Sequence, residues 1–599
     1  MTFLADNLRA LAARNPALAT TLRQLRAPAP SPTAAATDAC SDALLQEIRA
    51  LANPQLLVWC GLGSGAALAQ YATARHPRNR FLIVVEPDLA TFHAALTTHD
   101  WQALLQHPHI WWCIGIATHA LEATFYDMFQ HPELAAYLRA HTIVDLGTVP
   151  AYAPAVRRAW GHVTEELFRE SHAVEVDAPV GFSNVLHNLD RILRTPLLHT
   201  LKDRFTGRPG ILVSTGPSLT QTLPALQRVA DRAVCFAVDS ALRILLQHGI
   251  TPHFTGCQER QYLTTDHFRD LDTRKTVLVS TPVVHPETYQ LYQGPQVLLA
   301  REHHFLPWLF PGIATHGRAM SSVSHLGLFV LQYLGCRPIY LVGQDLAYDP
   351  DTRGSHATGY HLREDEAAWQ AAGHTTCEAR ANHGEMIATL QWWHQVARFI
   401  SYMIREHRIE CYNVIPERFG IAIPDTTRLE PDDALVARFG PPFDAHAQLM
   451  ANFPTFTPDL LVTRRQTAIA TLHATRDWLH ACCATNWQLM SDLFAWFVAR
   501  PPTLSRGNTT EAYQRFFRQL ERQTAALMQH PYYATVLAPL VQARHLELGQ
   551  TSVALLDRDD DRPETREAKL AIPLSWFSEI VVRAQGALHQ IDQILSQSV

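Results

Sequence analysis

A handful of short stretches hold the residues best suited to chemistry. The first is S-T-G-P-S-L, Ser214 to Leu219, directly after the apolar run Ile211 to Val213. Gly216 lets the chain turn there, and Pro217 suits a first helical turn because its missing N–H would have no partner in that position. The N–H groups of a helix opening at Leu219 would face an anion, so Thr215, Gly216, Pro217 and Ser218 are candidate phosphate or nucleotide contacts. The competing reading is an ordinary capped turn. Two further runs end on Asp239 and Ser240, and on Gln258, Glu259 and Arg260. Each group could cap a helix or form a surface ion pair, but polar ends on successive strands suit a ligand cleft. Ser321 and Ser322 precede a helical pattern of Val323, Leu326, Val330 and Leu334 closed by Gly335. One serine is the N-cap and the other is free to reach a ligand. The run P-I-Y-L-V-G-Q-D-L-A-Y stops on Gly343, Gln344 and Asp345, putting an amide and a carboxylate at the same edge. The polar segment after it brings His356 and His361, with His374 and His383 beyond. A histidine on a loop over a nucleotide site is a natural general base. With 32 histidines in the chain, a structural role competes for each one.

The elements that must position these groups follow from the pattern. GILVSTGPSL, AVCFAVDS, HFTGCQER, TVLVSTPV, QVLLARE and PIYLVGQDLAY are near-continuous apolar runs, most of them separated by helix-like stretches such as ALRILLQHGI. Such an alternation predicts a parallel sheet covered on both faces, with ligands at the carboxyl ends of its strands. Nearer the start, LLVWCGLGSGAALAQYA and FLIVVEPD read as strand, glycine turn, helix and second strand. Gly61, Gly63 and Gly65 with Glu86 roughly twenty residues on is a nucleotide-site arrangement; the alternative is a turn that needs glycine for close helix–strand packing. Beyond Pro424 the strands are expected to stop and the spacing becomes helical. The fold class expected is α/β, with a Rossmann-like N-terminal domain over residues 1–172, a doubly wound parallel-sheet domain over 173–429 and an all-α domain over 430–599.

Composition narrows the function classes. The chain has 599 residues, 47% apolar and 18% charged, enough for several cores; at about 150 residues per domain it holds three to four. Fifty Lys and Arg against 56 Asp and Glu give a net charge of -6, which argues against a general nucleic-acid binder. Asp6, Arg9 and Arg14 interrupt the first apolar pattern, so it reads as an amphipathic helix and not a secretory leader. No apolar run approaches the length of about 18 residues that spans a bilayer. The ten cysteines are scattered without a C-x-x-C pair, as in a reducing compartment. A cytoplasmic protein is expected.

The motifs ILVSTGPSL, AVDSALRILLQHGITPHF, SVSHLGLFVLQYLGCRPIYLVGQDLAYD and SHATGYH resemble the central domain of the motility-associated factor (Maf) flagellin glycosyltransferases. The resemblance extends over about residues 1–425. The central domain is also similar to the MptE-like pterin pyrophosphokinases and, more distantly, to bacterial sialyltransferases that use CMP-sialic acid. The resemblance implies a CMP-activated nonulosonic acid, of pseudaminic or legionaminic type, as donor and a flagellin Ser or Thr as acceptor, in the service of flagellum assembly and motility. It implies that Gly216, Pro217 and Ser218 hold the cytidine monophosphate, that Ser321 or Ser322 contacts the nucleotide or the sugar carboxylate, and that Gln344 and Asp345 line the donor pocket. Thr215 stands where the sialyltransferases carry Asn, and Gln258 where some relatives carry Asp. The base is left between His356 and His383. Thr215, Asp239, Glu259 and Gly343 complete the expected donor contacts. No cofactor is expected: Asp349 to Asp351 and Asp557 to Asp561 offer Asp-x-Asp clusters that magnesium would use, but a phosphate monoester leaving group needs less neutralisation than a diphosphate. The C-terminal helices are the expected flagellin-recognition element. Two rival readings are a pterin pyrophosphokinase that uses Mg-ATP, and a non-enzymatic flagellin chaperone.

Overall fold

A computed structural model describes residues 3–25, 56–73, 81–129, 134, 141–301, 305–313, 315, 321–360, 376–451, 453–454, 456–498, 522–541, 548 and 563–597. The chain groups into two compact units. One comprises Met1–Glu175, Ala484–Glu511 and Leu540–Val582, the other Val176–Cys483, Ala512–Pro539 and Arg583–Val599.

The first unit contains four parallel strands, β1 (Leu56–Cys60), β2 (Phe81–Glu86), β3 (Ile110–Ile114) and β4 (His141–Asp145), in the order β3-β2-β1-β4. Every residue of β1 and β2 is buried, as the unbroken apolar runs require of strands covered on both faces. Two amphipathic helices, Leu4–Ala12 and Pro16–Gln24, begin the chain, and Leu8, Leu11 and Leu22 pack into the core beside Trp59 and Trp101. The glycine turn after β1 is closed by the protein itself. Glu86, 1% exposed, accepts the Leu62 N–H at 2.8 Å on one carboxylate oxygen and the Asp88 N–H at 2.9 Å on the other. The acid therefore ties the turn to the end of β2 as an internal brace, and Gly65 packs against the Trp101 ring. These contacts are those of the close-packing alternative for the motif.

The second unit contains eight parallel strands. β5 (Gly210–Val213), β6 (Val234–Val238), β7 (Phe254–Cys257), β8 (Val277–Ser280) and β9 (Gln296–Leu298) run outward from the centre in one direction. β10 (Ile339–Val342), β13 (Cys411–Val414) and β14 (Thr427–Leu429) continue the sheet on the other side of β5, giving the order β14-β13-β10-β5-β6-β7-β8-β9. An antiparallel hairpin, β11 (Thr376–Arg380) with β12 (Met386–Leu390), is separate from that sheet. The strands from β5 to β10 are buried along their whole length. One correction concerns the end of the sheet: strands do not stop at Pro424, because Thr427–Leu429 pairs in parallel with β13. Three residues with exposed or half-exposed side chains carry no apolar run; main-chain pairing alone makes this edge. β13 was equally hidden, since Tyr412 and Asn413 break its apolar pattern. From residue 433 on, the described elements are helical, the longest being Pro458–Val498 and Pro563–Gln597. Among the described residues, no helix is long and apolar enough to cross a membrane.

Candidate functional site

The register of β5 against β10 creates the site. Gly210 pairs with Ile339 and Val213 with Val342, so the two strands end level. Chain order reverses between them, β6 lying on one side of β5 and β10 on the other, which makes this the topological switch point where the loops diverge and leave a crevice. The two loops touch at their bases. Ser214 N–H donates to Val342 O at 2.8 Å, and Gly216 N–H to Gly343 O at 2.8 Å. Side chains would forbid this approach: a Cβ on Gly216 would lie 2.5 Å from Gly343 O, and one on Gly343 2.4 Å from Ser214 O.

A cavity of about 310 Å3 opens at this crevice. Its wall brings together Thr215, Gly216, Asp239, Glu259, Ser321, Ser322, Gly343, Gln344, Asp345 and His356. Those residues come from the ends of β5, β6, β7 and β10, from the start of the Val323–Tyr333 helix, and from the loop after β10. Pro217, Ser218 and His383 do not line it. His383 sits in the β11–β12 turn, 3.4 Å from Glu385. His361, His374 and Asp557 to Asp561 lie outside the described residues.

Ser218 is fully buried behind the wall. Its N–H donates to one oxygen of Asp345 at 2.7 Å and its hydroxyl to the other at 2.5 Å. The N-terminus of the Leu219–Gln227 helix thus already holds an anion-type partner, the protein's own carboxyl. Burial pushes Asp345 up to about 7, against the downward pull of both Ser218 hydrogen bonds. The residue after it, Leu346, adopts φ +52, a left-handed conformation that costs a side-chain-bearing residue about 1–3 kcal/mol. Thr389 supports it by donating its hydroxyl to Leu346 O at 2.6 Å.

The remaining wall is rich in hydroxyls and amides. Ser214 donates to Gln344 Oε1 at 2.6 Å, and the hydroxyls of Thr215 and Ser240 meet at 3.0 Å. Ser322 is the N-cap, accepting the Ser324 N–H at 3.3 Å, and Ser321, also on the wall, has its hydroxyl 3.5 Å from His325 Nδ1. Asp239 is buried and, through desolvation, raised to about 7 although it accepts the Ser240 N–H. Glu259 stands exposed at the rim; desolvation of its inner side and the nearby Asp239 raise it, and solvent screens that shift. No Lys or Arg is among the described lining residues.

His356 is held with its Nδ1 2.7 Å from the Ser355 hydroxyl and is lowered to about 4 by burial and then by nearby His267. It is therefore neutral at pH 7 and able to accept a proton. Asp349 and Asp351 in the same loop face other tasks: Asp349 accepts the N–H groups of Asp351 and Thr352, both at 2.8 Å, and Asp351 pairs with Arg418. Among the described residues, no group of three or more His, Cys, Asp or Glu could hold a metal ion.

Lining residues that the strand-end pattern does not reveal include His267, Tyr360, Trp392 and Trp393. His267 lies on a 3-10 turn nine residues after Gln258, and the two tryptophans open the Gln391–Glu406 helix. None ends an apolar strand, so only the folded chain shows them.

Fold and wall together define an α/β protein with a polar ligand crevice at the switch point of a doubly wound sheet. Residues 183–351, which include most of that wall, match the family described as 6-hydroxymethylpterin diphosphokinase MptE-like. Among solved structures, the chain is similar to a MAf glycosyltransferase from Magnetospirillum magneticum AMB-1. The two are 15% identical, with a TM-score of 0.55 over 99% of this chain and 97% of that one. At that identity the likeness is one of fold, and the Maf and MptE-like resemblances each have a match. No curated protein matches the chain.

Proposed function

We propose that the chain is a flagellin glycosyltransferase of the Maf kind that transfers a nonulosonic acid, of pseudaminic or legionaminic type, from a CMP-sugar to a flagellin Ser or Thr, acting in the cytoplasm. The observation that carries the reading is the position of His356. A neutral, half-buried imidazole faces a polar cavity at the switch point of a fold shared with a MAf glycosyltransferase. In the reaction, the acceptor hydroxyl loses its proton to His356 as its oxygen bonds the anomeric carbon. The bond from that carbon to the phosphate oxygen breaks, and CMP departs with the electron pair.

The self-occupied helix end at Ser218 moves the donor's anion elsewhere. Of the other helices that begin at the wall, Asp239–Gln247 opens on a carboxyl and Gln391–Glu406 on two tryptophans, whereas Val323–Tyr333 opens on serines, with the Gln344 amide on the same wall. Gln344 uses its Oε1 for Ser214, leaving its Nε2 as a donor, so this end suits the donor's phosphate or carboxylate. Ser218 then acts on the donor indirectly, by fixing Asp345 and the turn. The match over residues 183–351 supports a second reading, pyrophosphoryl transfer to a pterin. The Trp392 and Trp393 part of the wall lies outside that match, which favours the first.

The deciding experiment incubates the full chain with flagellin and CMP-pseudaminic or CMP-legionaminic acid, and separately with ATP, magnesium and 6-hydroxymethylpterin. CMP release with a matching mass gain on flagellin is expected. AMP release with pterin diphosphate, and no CMP release, would replace this reading with the second.

A further inference from the structure

His356 is oriented by more than its own loop. The main chain of that loop is pinned to the β5 turn: Ala357 N–H donates to Thr215 O at 2.8 Å, and Thr358 N–H to the Thr220 hydroxyl at 3.0 Å. Those bonds fix where the loop runs, but not the plane of the imidazole. The plane is set by the Ser355 hydroxyl at Nδ1 and by neighbouring rings. The imidazole of His356 lies on the Tyr360 phenol with centroids 4.1 Å apart and planes 17° apart. Tyr360 in turn stacks with His267, at 6.1 Å and 29°. His267 belongs to a different element, the Tyr262–His267 turn that follows β7, where Thr265 is fully buried and anchors the segment. A ring stack that spans two elements can hold an aromatic plane more narrowly than one rotamer preference does.

We propose that His267 is a positioning residue that acts through Tyr360 to set the orientation and proton affinity of His356. The proposal rests on the reading of His356 as the base. Packing alone would be served by any ring at position 267, whereas a second imidazole also places a titratable group beside the first. The other titratable groups on the cavity wall are Tyr360, Asp239, Glu259 and Asp345, and Arg243 and Asp266 act on His267 itself. Of these, His267, itself lowered to about 4 chiefly by burial, is the neighbour whose protonated form depresses His356 beyond the effect of burial, a coupling confined to the acid range.

Two variants separate ring from charge. His267→Phe keeps an aromatic face and removes the charge; His267→Ala removes both. The direct readout is the imidazole titration of His356 in the full chain with 13C-labelled histidine and no substrate, assigned by the signal lost in His356→Gln. We expect His356 to titrate at higher pH in His267→Phe than in the parent chain, yet below the usual value of about 6.5. In the transfer assay, kcat of His267→Ala should fall about tenfold or more with KM within about twofold. His267→Phe should recover most of that rate, with its acid limb moved upward. An unchanged His356 titration in His267→Phe overturns the proposal, as does a His267→Phe rate no better than that of His267→Ala. The titration needs no turnover, so a chain that fails to release CMP refutes the transfer reading without deciding this one.

Discussion

Ser218 gives both its N–H and its hydroxyl to the two oxygens of Asp345, which joins the turn after β5 to the turn after β10 through one buried carboxyl. While this pair is made, both Ser218 donors are used and each Asp345 oxygen already accepts one hydrogen bond. Ser218→Ala should therefore lower sugar transfer by about tenfold or more through loss of geometry, and Asp345→Ala by more, since it leaves two buried donors without a partner. Removing the acceptor should also cost about 1–3 kcal/mol of stability. A double-mutant cycle on CMP release and on urea unfolding checks this: strong non-additivity is expected, and independent effects would show that the contact does not matter.

His356 and His383 differ in placement, one on the cavity wall and one in the β11–β12 turn beside Glu385. Loss of a general base typically costs 10²–10⁴ in rate, so His356→Ala should be slowed by about 100-fold or more, and His383→Ala by less than about threefold. Initial rates at saturating donor decide it. The reverse ranking would return the base to the hairpin.

Asp239 has a folded-state value raised to about 7 by burial. Between its unfolded value near 3.9 and about 7, the native state binds the extra proton, so its contribution is full below that window and is lost as pH rises through it. Asp239→Asn lacks this slope. The Tm of the variant relative to the parent should therefore climb from pH 4 to pH 7 and level off above. A constant Tm difference across that range would mean that Asp239 is not shifted.

Transfer is expected to survive EDTA. The carboxylate of Asp349 is taken up by two N–H groups of its own loop and that of Asp351 by Arg418, so this Asp-x-Asp pair is committed within the loop. CMP release measured after dialysis against chelator tests this, and a complete loss restored by magnesium would assign the metal a role.

A chain ending near Leu429 should fold poorly. Buried Trp308 donates its indole N–H to Thr475 at 2.8 Å, and Arg464 donates to Leu193 O and Thr195 O, so part of the Pro458–Val498 helix completes the core of the larger unit. Acceptor recognition is better tested by point changes. Trp487 is 54% and Phe494 61% exposed, one helix face seven residues apart, while the side chains of Trp496, Phe497, Phe516 and Phe517 lie outside the described residues. Trp487→Ala with Phe494→Ala should weaken flagellin capture about tenfold or more and leave CMP release from the donor alone unchanged. Undiminished capture would move recognition to other surfaces.

The sequence by itself determined β1, β2 and the strands from β5 to β10, with the polar residues that end them. Buried parallel strands need continuous apolar runs, and the loops that leave them need Gly216, Gly343 and a serine cap, all of which are local requirements written in local residues. It did not contain β14 or β13, where pairing with a neighbour outweighs a weak local pattern. It also could not say what the polar strand ends face. That the anion site before Leu219 is filled by Asp345, 127 residues away in the chain, follows from the level register of β5 and β10. That His267 and Tyr360 stack behind His356 follows from where two loops happen to meet. Contacts between distant segments depend on packing of the whole sheet, and only the tertiary structure decides them.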